Sequence, residues 1–195
     1  PDRFTFRDGD MDADWHALGD VEVLCFHSWG MSRLRTASLD PDTRVVTFTG
    51  PTCANTWWAG LNKGGRYLVE NVRDALERPG EWYLDHQTGI LTYLPKPGEN
   101  PETAVVIAPR LEQLVRFQGD AELGAWVTDL HIRDLTFAHG NWTLPERGYS
   151  CAQAESALRG AVYATGARGI QFRGCRITQV GTYGLDLGVG CRDNV

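Results

Sequence analysis

The sequence has no run of lysine or arginine. Its 19 basic residues are scattered among 25 acidic ones, giving a formal net charge of −6. That argues against a nucleic-acid partner, because phosphate binding needs a basic surface. No apolar stretch approaches the roughly 18 to 20 residues that a membrane helix requires, so no membrane association is expected. Cysteine is sparse and unpatterned. Cys25, Cys53, Cys151, Cys175 and Cys191 are odd in number and contain no CxxC pair, which points to buried free thiols. Neither an initiator Met nor a signal-peptide pattern precedes Pro1, and "CRDNV" breaks off in mid-pattern. The chain is therefore expected to be a piece of a longer polypeptide, and the missing leader says nothing about export.

What is plentiful is glycine, at 22 residues, and tryptophan, at 7. "GIQFRGCRITQV" (169–180) places apolar side chains at Ile170, Phe172, Cys175 and Ile177. "DLHIRDLTFA" repeats that order forty residues earlier with Leu130, Ile132, Leu135 and Phe137. The spacing is neither strict alternation nor helical. Apolar-x-apolar is a strand pointing alternate residues inward, and the two-residue gap is a bend into a second strand. Gly166-Ala167-Arg168 precedes one copy, and Gly190-Cys191-Arg192 opens a third copy 24 residues later. A period of this size, with short strands and Gly at corners, predicts a parallel β-solenoid whose coils cover one another's apolar faces. The 40-residue interval is then one coil plus a loop of about 16 residues, "HGNWTLPERGYSCAQAES" (139–156).

The preceding residues read as β-rich. "VEVLCFHSW" (21–29), "SRLRTASLD" (32–40) and "RVVTFTG" (44–50) predict strands, the last two joined through the turn "DPDT". Leu68, Val72, Ala75 and Leu76 share one helical face before "RPG", which predicts a short helix over 68–76. "EWYLDHQTGILTYLP" predicts strand, turn and strand. "KPGENPE" (96–102) is the expected boundary, giving domains of 1–100 and 101–195, and "TAVVIAP" and "LVRFQG" beyond it predict further short strands.

"ALERPGEWYLDHQTGILTYLP" (75–95), "VVIAP" (105–109), "HGNW" (139–142), "AQA" (152–154) and "VGTYGLDLGVGCRDN" (180–194) together resemble right-handed parallel β-helix proteins of bacterial polysaccharide breakdown. The chain is similar to glycoside hydrolase families 120 and 141. The resemblance implies a mainly β fold in which a β-sandwich-like domain, 1–100, interrupts the first coils of a right-handed parallel β-helix, 101–195. It also implies an exported enzyme, secreted or periplasmic, that acts on xylose- or fucose-containing glycans and needs no cofactor.

Glycoside cleavage of the usual kind needs two carboxyl groups flanking the scissile bond. Asp186 in "YGLDLG" is the candidate: with Leu185 and Leu187 inward, alternation puts it outward. Its alternative is a solvated carboxylate on an exposed face. Tyr183 and Arg192 are candidate substrate-binding neighbours. His139, Asn141 and Trp142 open the long loop, where Trp142 either stacks on a sugar or anchors the loop. Gln153 either reaches a sugar hydroxyl or bonds to loop backbone. The second catalytic carboxylate is expected beyond residue 195. His27 and Trp29 read as core and rim, and Trp57-Trp58 either form a carbohydrate platform or close a domain junction. "DGDMDAD" (8–14) alternates acids like an EF-hand loop, but Gly19 stands where the twelfth-position Glu belongs. No metal site is expected.

Two further functions remain open. A polysaccharide lyase on the same scaffold would need an acidic sugar and a base for proton abstraction, and no cluster of Lys, Arg and calcium-binding acids is apparent. A non-catalytic carbohydrate-binding or adhesin-type β-helix is the other, since fold does not determine function.

Overall fold

Alternating apolar and polar side chains drive the first part of the chain into antiparallel strands. In the computed structural model, which describes residues 1–195, one compact unit comprises 1–104 with 144–156, and a second comprises 105–143 with 157–195. In the first unit, β1 (Arg3–Thr5), β2 (Glu22–Phe26), β3 (Met31–Asp40), β4 (Val45–Phe48) and β5 (Tyr67–Glu70) form a sheet in the order β1-β4-β3-β2-β5. The turn after β3 forms as the sequence predicts: the Asp40 carboxylate accepts the Asp42 and Thr43 N–H groups at 3.0 and 3.2 Å. A register shift between Thr36 and Ser38 lets the two halves of β3 serve different partners. The first unit accordingly holds one continuous sheet around Phe6, Met11, Val23, Cys25, Leu34, Val46 and Phe48. A hairpin of β6 (Trp82–Leu84) and β7 (Leu91–Tyr93) completes it, with Tyr83 on the buried face.

The helix predicted over 68–76 does not form. Leu68 belongs to β5, opposite Leu24, and only Arg73–Ala75 make a single 3-10 turn. Between them Asn71 adopts φ +55°, which no right-handed helix contains. Its side chain accepts the Leu84 N–H and donates to the Asp20 and Leu84 carbonyls. Strand pairing and this side-chain lock outweigh local helical periodicity.

The second unit stacks successive passes of chain in parallel. Its first pass holds β8 (Val115–Gln118), β9 (Val127–Thr128), β10 (His131–Arg133) and β11 (Thr136–Gly140). The chain then enters the first unit, where β12 (Tyr149–Ser150) pairs with β3. A second pass holds β13 (Val162–Thr165), β14 (Ala167–Arg168), β15 (Gln171–Arg173) and β16 (Arg176–Val180), and β17 (Leu185–Leu187) begins a third. Ile132 pairs with Phe172 and Phe137 with Ile177, the 40-residue offset of the repeat. Arg168 bridges to Arg192, the 24-residue offset. Between β8 and β9 the first pass spends extra residues on a turn at Asp120–Ala125, absent from the second pass between Thr165 and Ala167. Gly119 and Gly166 make the corner possible: a Cβ on Gly119 would lie 2.8 Å from the Ala125 carbonyl oxygen and closer still to that of Gly166.

Three expectations are corrected. His139 lies in β11 rather than in a loop, because its strand continues alongside β16. "TAVVIAP" forms no strand; Val105, Val106 and Ile107 find no ladder partner and stay exposed. Ile170 is buried, and Phe172, Cys175 and Ile177 are half-buried, but Leu130 and Leu135 remain 42% and 52% exposed. These two lie on the outer pass, which has a neighbouring pass on one side only.

Candidate functional site

The three-stranded sheet β8-β13-β17 separates its residues by alternation. Val115 and Phe117, Val162 and Ala164, and Leu185 and Leu187 stand in matching register. Phe117, Ala164, Leu185 and Leu187 line one apolar cavity of about 80 Å³ with Ile170 and Phe172. The opposite face carries Arg116, Tyr163 and Asp186 in a row. Asp186 therefore stands on the face opposite the cavity and is half-buried, while Leu185 and Leu187, which line the cavity, stay 46% and 49% exposed.

Its surroundings are specific. Asp186 Oδ2 lies 3.7 Å from Arg159 Nη1, and the Arg159 guanidinium lies over the Tyr163 ring at 5.2 Å. Gly160 permits this approach, since a Cβ there would fall 2.9 Å from the Asp186 Cβ. Oδ2 is shielded from solvent yet accepts no hydrogen bond, a costly arrangement for a carboxylate in a structural role. Arg159 and Tyr163 were not picked out from sequence. Alternation in "AVYAT" places Tyr163 on the outer face, but its pairing with Asp186 depends on the register between passes.

The other candidates are dispersed. Tyr183 is exposed just before β17, and its carbonyl accepts the Ala161 N–H. His139 is half-buried at φ +62°. The Asn141 N–H donates to the Leu111 carbonyl, and its side-chain amide to Thr143 at 3.3 Å. Trp142 packs over Gly181, where an added Cβ would meet its own at 2.7 Å. Arg192 stacks over Trp126 at 4.7 Å. Gln153 is exposed in the first unit, its carbonyl accepting from Cys151 Sγ. No hydrogen bond or ion pair joins Asp186 to His139, Asn141 or Arg192.

The first unit has a polar chain of its own. His27 Nε2 lies 2.7 Å from Ser32 Oγ, which lies 2.7 Å from Ser150 Oγ, which accepts the Cys53 N–H. Burial holds the His27 imidazole below its ordinary value, against the Gly60 backbone and Glu155, which act the other way. Burial and the Glu155 carboxylate push Tyr149 up. Trp29, Trp57 and Trp58 form a cluster with ring centroids 5.5 to 6.2 Å apart, and Trp29 and Trp57 are 52% and 66% exposed. An open cleft of about 1240 Å³ runs past Arg7, Asp10, His27, Lys63, Arg66 and Tyr67.

No protein-family model matches the chain, and no curated protein matches it. A solved structure named "Glycoside hydrolase" is similar, with a TM-score of 0.77 and 22% identity over 93% of this chain. The chain spans 38% of that protein's length. The mainly β fold is thus one found in a glycoside hydrolase.

Proposed function

We propose that the chain is part of a carbohydrate-active glycoside hydrolase, resembling families 120 and 141. In this reading its parallel passes are the first coils of a right-handed parallel β-helix. The observation that carries it is Asp186: an outward carboxylate on a parallel sheet, flanked by Arg159 and Tyr163, with one oxygen shielded but not consumed by a hydrogen bond. Such a group can act as one of the two carboxyls of glycoside cleavage, as nucleophile or as base to a water. The second comes from coils beyond residue 195, on the same face. Xylose- or fucose-containing glycans of plant or microbial origin are the substrates, and the protein is exported.

The test compares the 195-residue chain with the longer parent protein on aryl xylosides, aryl fucosides and plant cell-wall glycans. The parent turns over at least one; the short chain turns over none. Asp186→Asn in the parent lowers kcat by about 10²- to 10⁴-fold, the usual contribution of a positioned acid or base. An unchanged rate returns Asp186 to a solvated face, and turnover by the short chain moves the site elsewhere. A binding module without catalysis is the second reading, supported by the exposed Trp29 and Trp57. Turnover by neither protein, together with oligosaccharide binding lost in Trp57→Ala, would favour it.

A further inference from the structure

The second unit holds eight Arg and seven Asp or Glu residues, yet its one ion pair is Arg159 with Asp186. Two of the remaining arginines occupy an unusual place. Arg168 and Arg192 are bridge partners on neighbouring parallel passes, so like charges stand directly side by side, an arrangement that destabilises a sheet. Both guanidiniums lie over one indole, that of Trp126, at 5.5 and 4.7 Å. Cation–π attraction fixes them there but neutralises neither. No carboxylate oxygen comes within 4.0 Å of either, and neither side chain makes a hydrogen bond. The acids of the adjoining corners are turned elsewhere: Asp129 lies against Gly169 and Asp134 against Gly174, where an added Cβ would collide with each carboxylate. Between the first and second passes, Arg133 and Arg173 repeat the in-register pairing without an acid partner.

Where arginine serves structure in this chain it is paired differently. Arg33 lies between Glu22 and Glu70, at 2.8 and 2.6 Å. The contrast marks Arg168 and Arg192 as donors held ready for something outside the chain. Guanidinium forks match planar or tetrahedral oxyanions in two-point fashion, and the Trp126 ring holds the two forks side by side. Trp126 owes its position to the Asp120–Ala125 turn that the second pass lacks.

We infer that Arg168, Arg192 and Trp126 form a subsite for an acidic sugar residue, a glycan carrying a uronate carboxylate or a sulfate ester. The inference rests on the carbohydrate reading above and narrows it from neutral to acid-decorated polysaccharide. It needs no catalytic step.

The test is calorimetric titration of the 195-residue chain with trigalacturonate, a sulfated carrageenan oligosaccharide and neutral xylotriose, between about 20 and 200 mM salt. At least one acidic probe should bind about tenfold or more tightly than xylotriose, and weaken with salt. The two acidic probes distinguish carboxylate from sulfate. Arg168→Gln/Arg192→Gln should remove that preference, a loss on the order of 10- to 100-fold. Arg168→Lys/Arg192→Lys, which keeps charge and fold but loses the fork, should lose part of it. The melting temperature of the Gln variant without ligand should stay within about 2 °C of the wild-type value, because relieved repulsion offsets the lost cation–π contacts; a larger drop would assign the arginines a structural role and overturn the inference. Equal affinity for acidic and neutral probes would overturn it while leaving the carbohydrate reading in place. Binding of none would also overturn it, and hydrolysis by the parent would then decide the wider reading separately.

Discussion

Gly119→Ala tests the stacked corner most directly. Gly119 does not have a positive φ, so alanine meets no backbone strain and the penalty is purely steric. Its new Cβ would fall 2.8 Å from the Ala125 carbonyl oxygen and 3.0 Å from the Val127 nitrogen, and nearer still to the Gly166 carbonyl oxygen. All three are backbone atoms, so no side chain can swing aside. They belong to two different passes and to the turn between β8 and β9, so relief means prising the passes apart. Overpacking of this kind costs about 1 to 3 kcal/mol, and rigid backbone places it at the upper end. Lower unfolded-state entropy returns about 0.4 to 1 kcal/mol. A net loss of about 2 kcal/mol lowers the melting temperature by roughly 4 to 8 °C for a chain of this size. Gly9→Ala is the control, because Gly9 has φ +81° but nothing within 4 Å, which leaves backbone strain of about 1 kcal/mol and no clash. Scanning calorimetry of both variants checks the ordering. A Gly119→Ala protein melting within about 2 °C of wild type would show that the corner is not closely stacked, and the parallel register would fall with it.

The first unit makes its own predictions. Leu34 is fully buried among Val23, Cys25, Val46 and Phe48, so Leu34→Ala should cost about 2 to 5 kcal/mol in urea unfolding; a loss below about 1 kcal/mol would contradict the core assignment. Burial pushes the Cys25 thiol from its ordinary 9.0 up to about 12. The unfolded chain therefore releases this proton first as pH rises, so the stability is fully present below pH 9 and is lost as pH climbs toward about 12. The loss is on the order of 3 to 4 kcal/mol, and Cys25→Ala should flatten that part of the pH profile. An identical alkaline loss in the variant would assign it to other groups.

Much of the second unit was legible in the sequence because its signal is local and repeated. Each pass carries the same inward pattern, and a parallel stack must set like positions side by side to cover them. Ile132 beside Phe172 follows from the 40-residue offset alone. The alternation that sets Asp186 between Leu185 and Leu187 was equally readable. The short helix failed for the converse reason: apolar spacing over 68–76 is blind to the pairing of β5 with β2 and to the positive φ of Asn71. Burial of Leu130 and Leu135 failed because covering a face depends on what lies beyond it, which no local pattern records. The partners of Asp186 needed the fold as well. Arg159 and Tyr163 lie over twenty residues away in sequence and reach it only through the register of β13 with β17. The composition showed scattered arginines and no cationic cluster. Packing alone placed Arg168 and Arg192 over one indole without a counter-charge. Periodicity determines which face a side chain takes, because it is a property of the strand; which charges meet on that face is decided by stacking, because only the folded chain brings distant passes within a few ångströms.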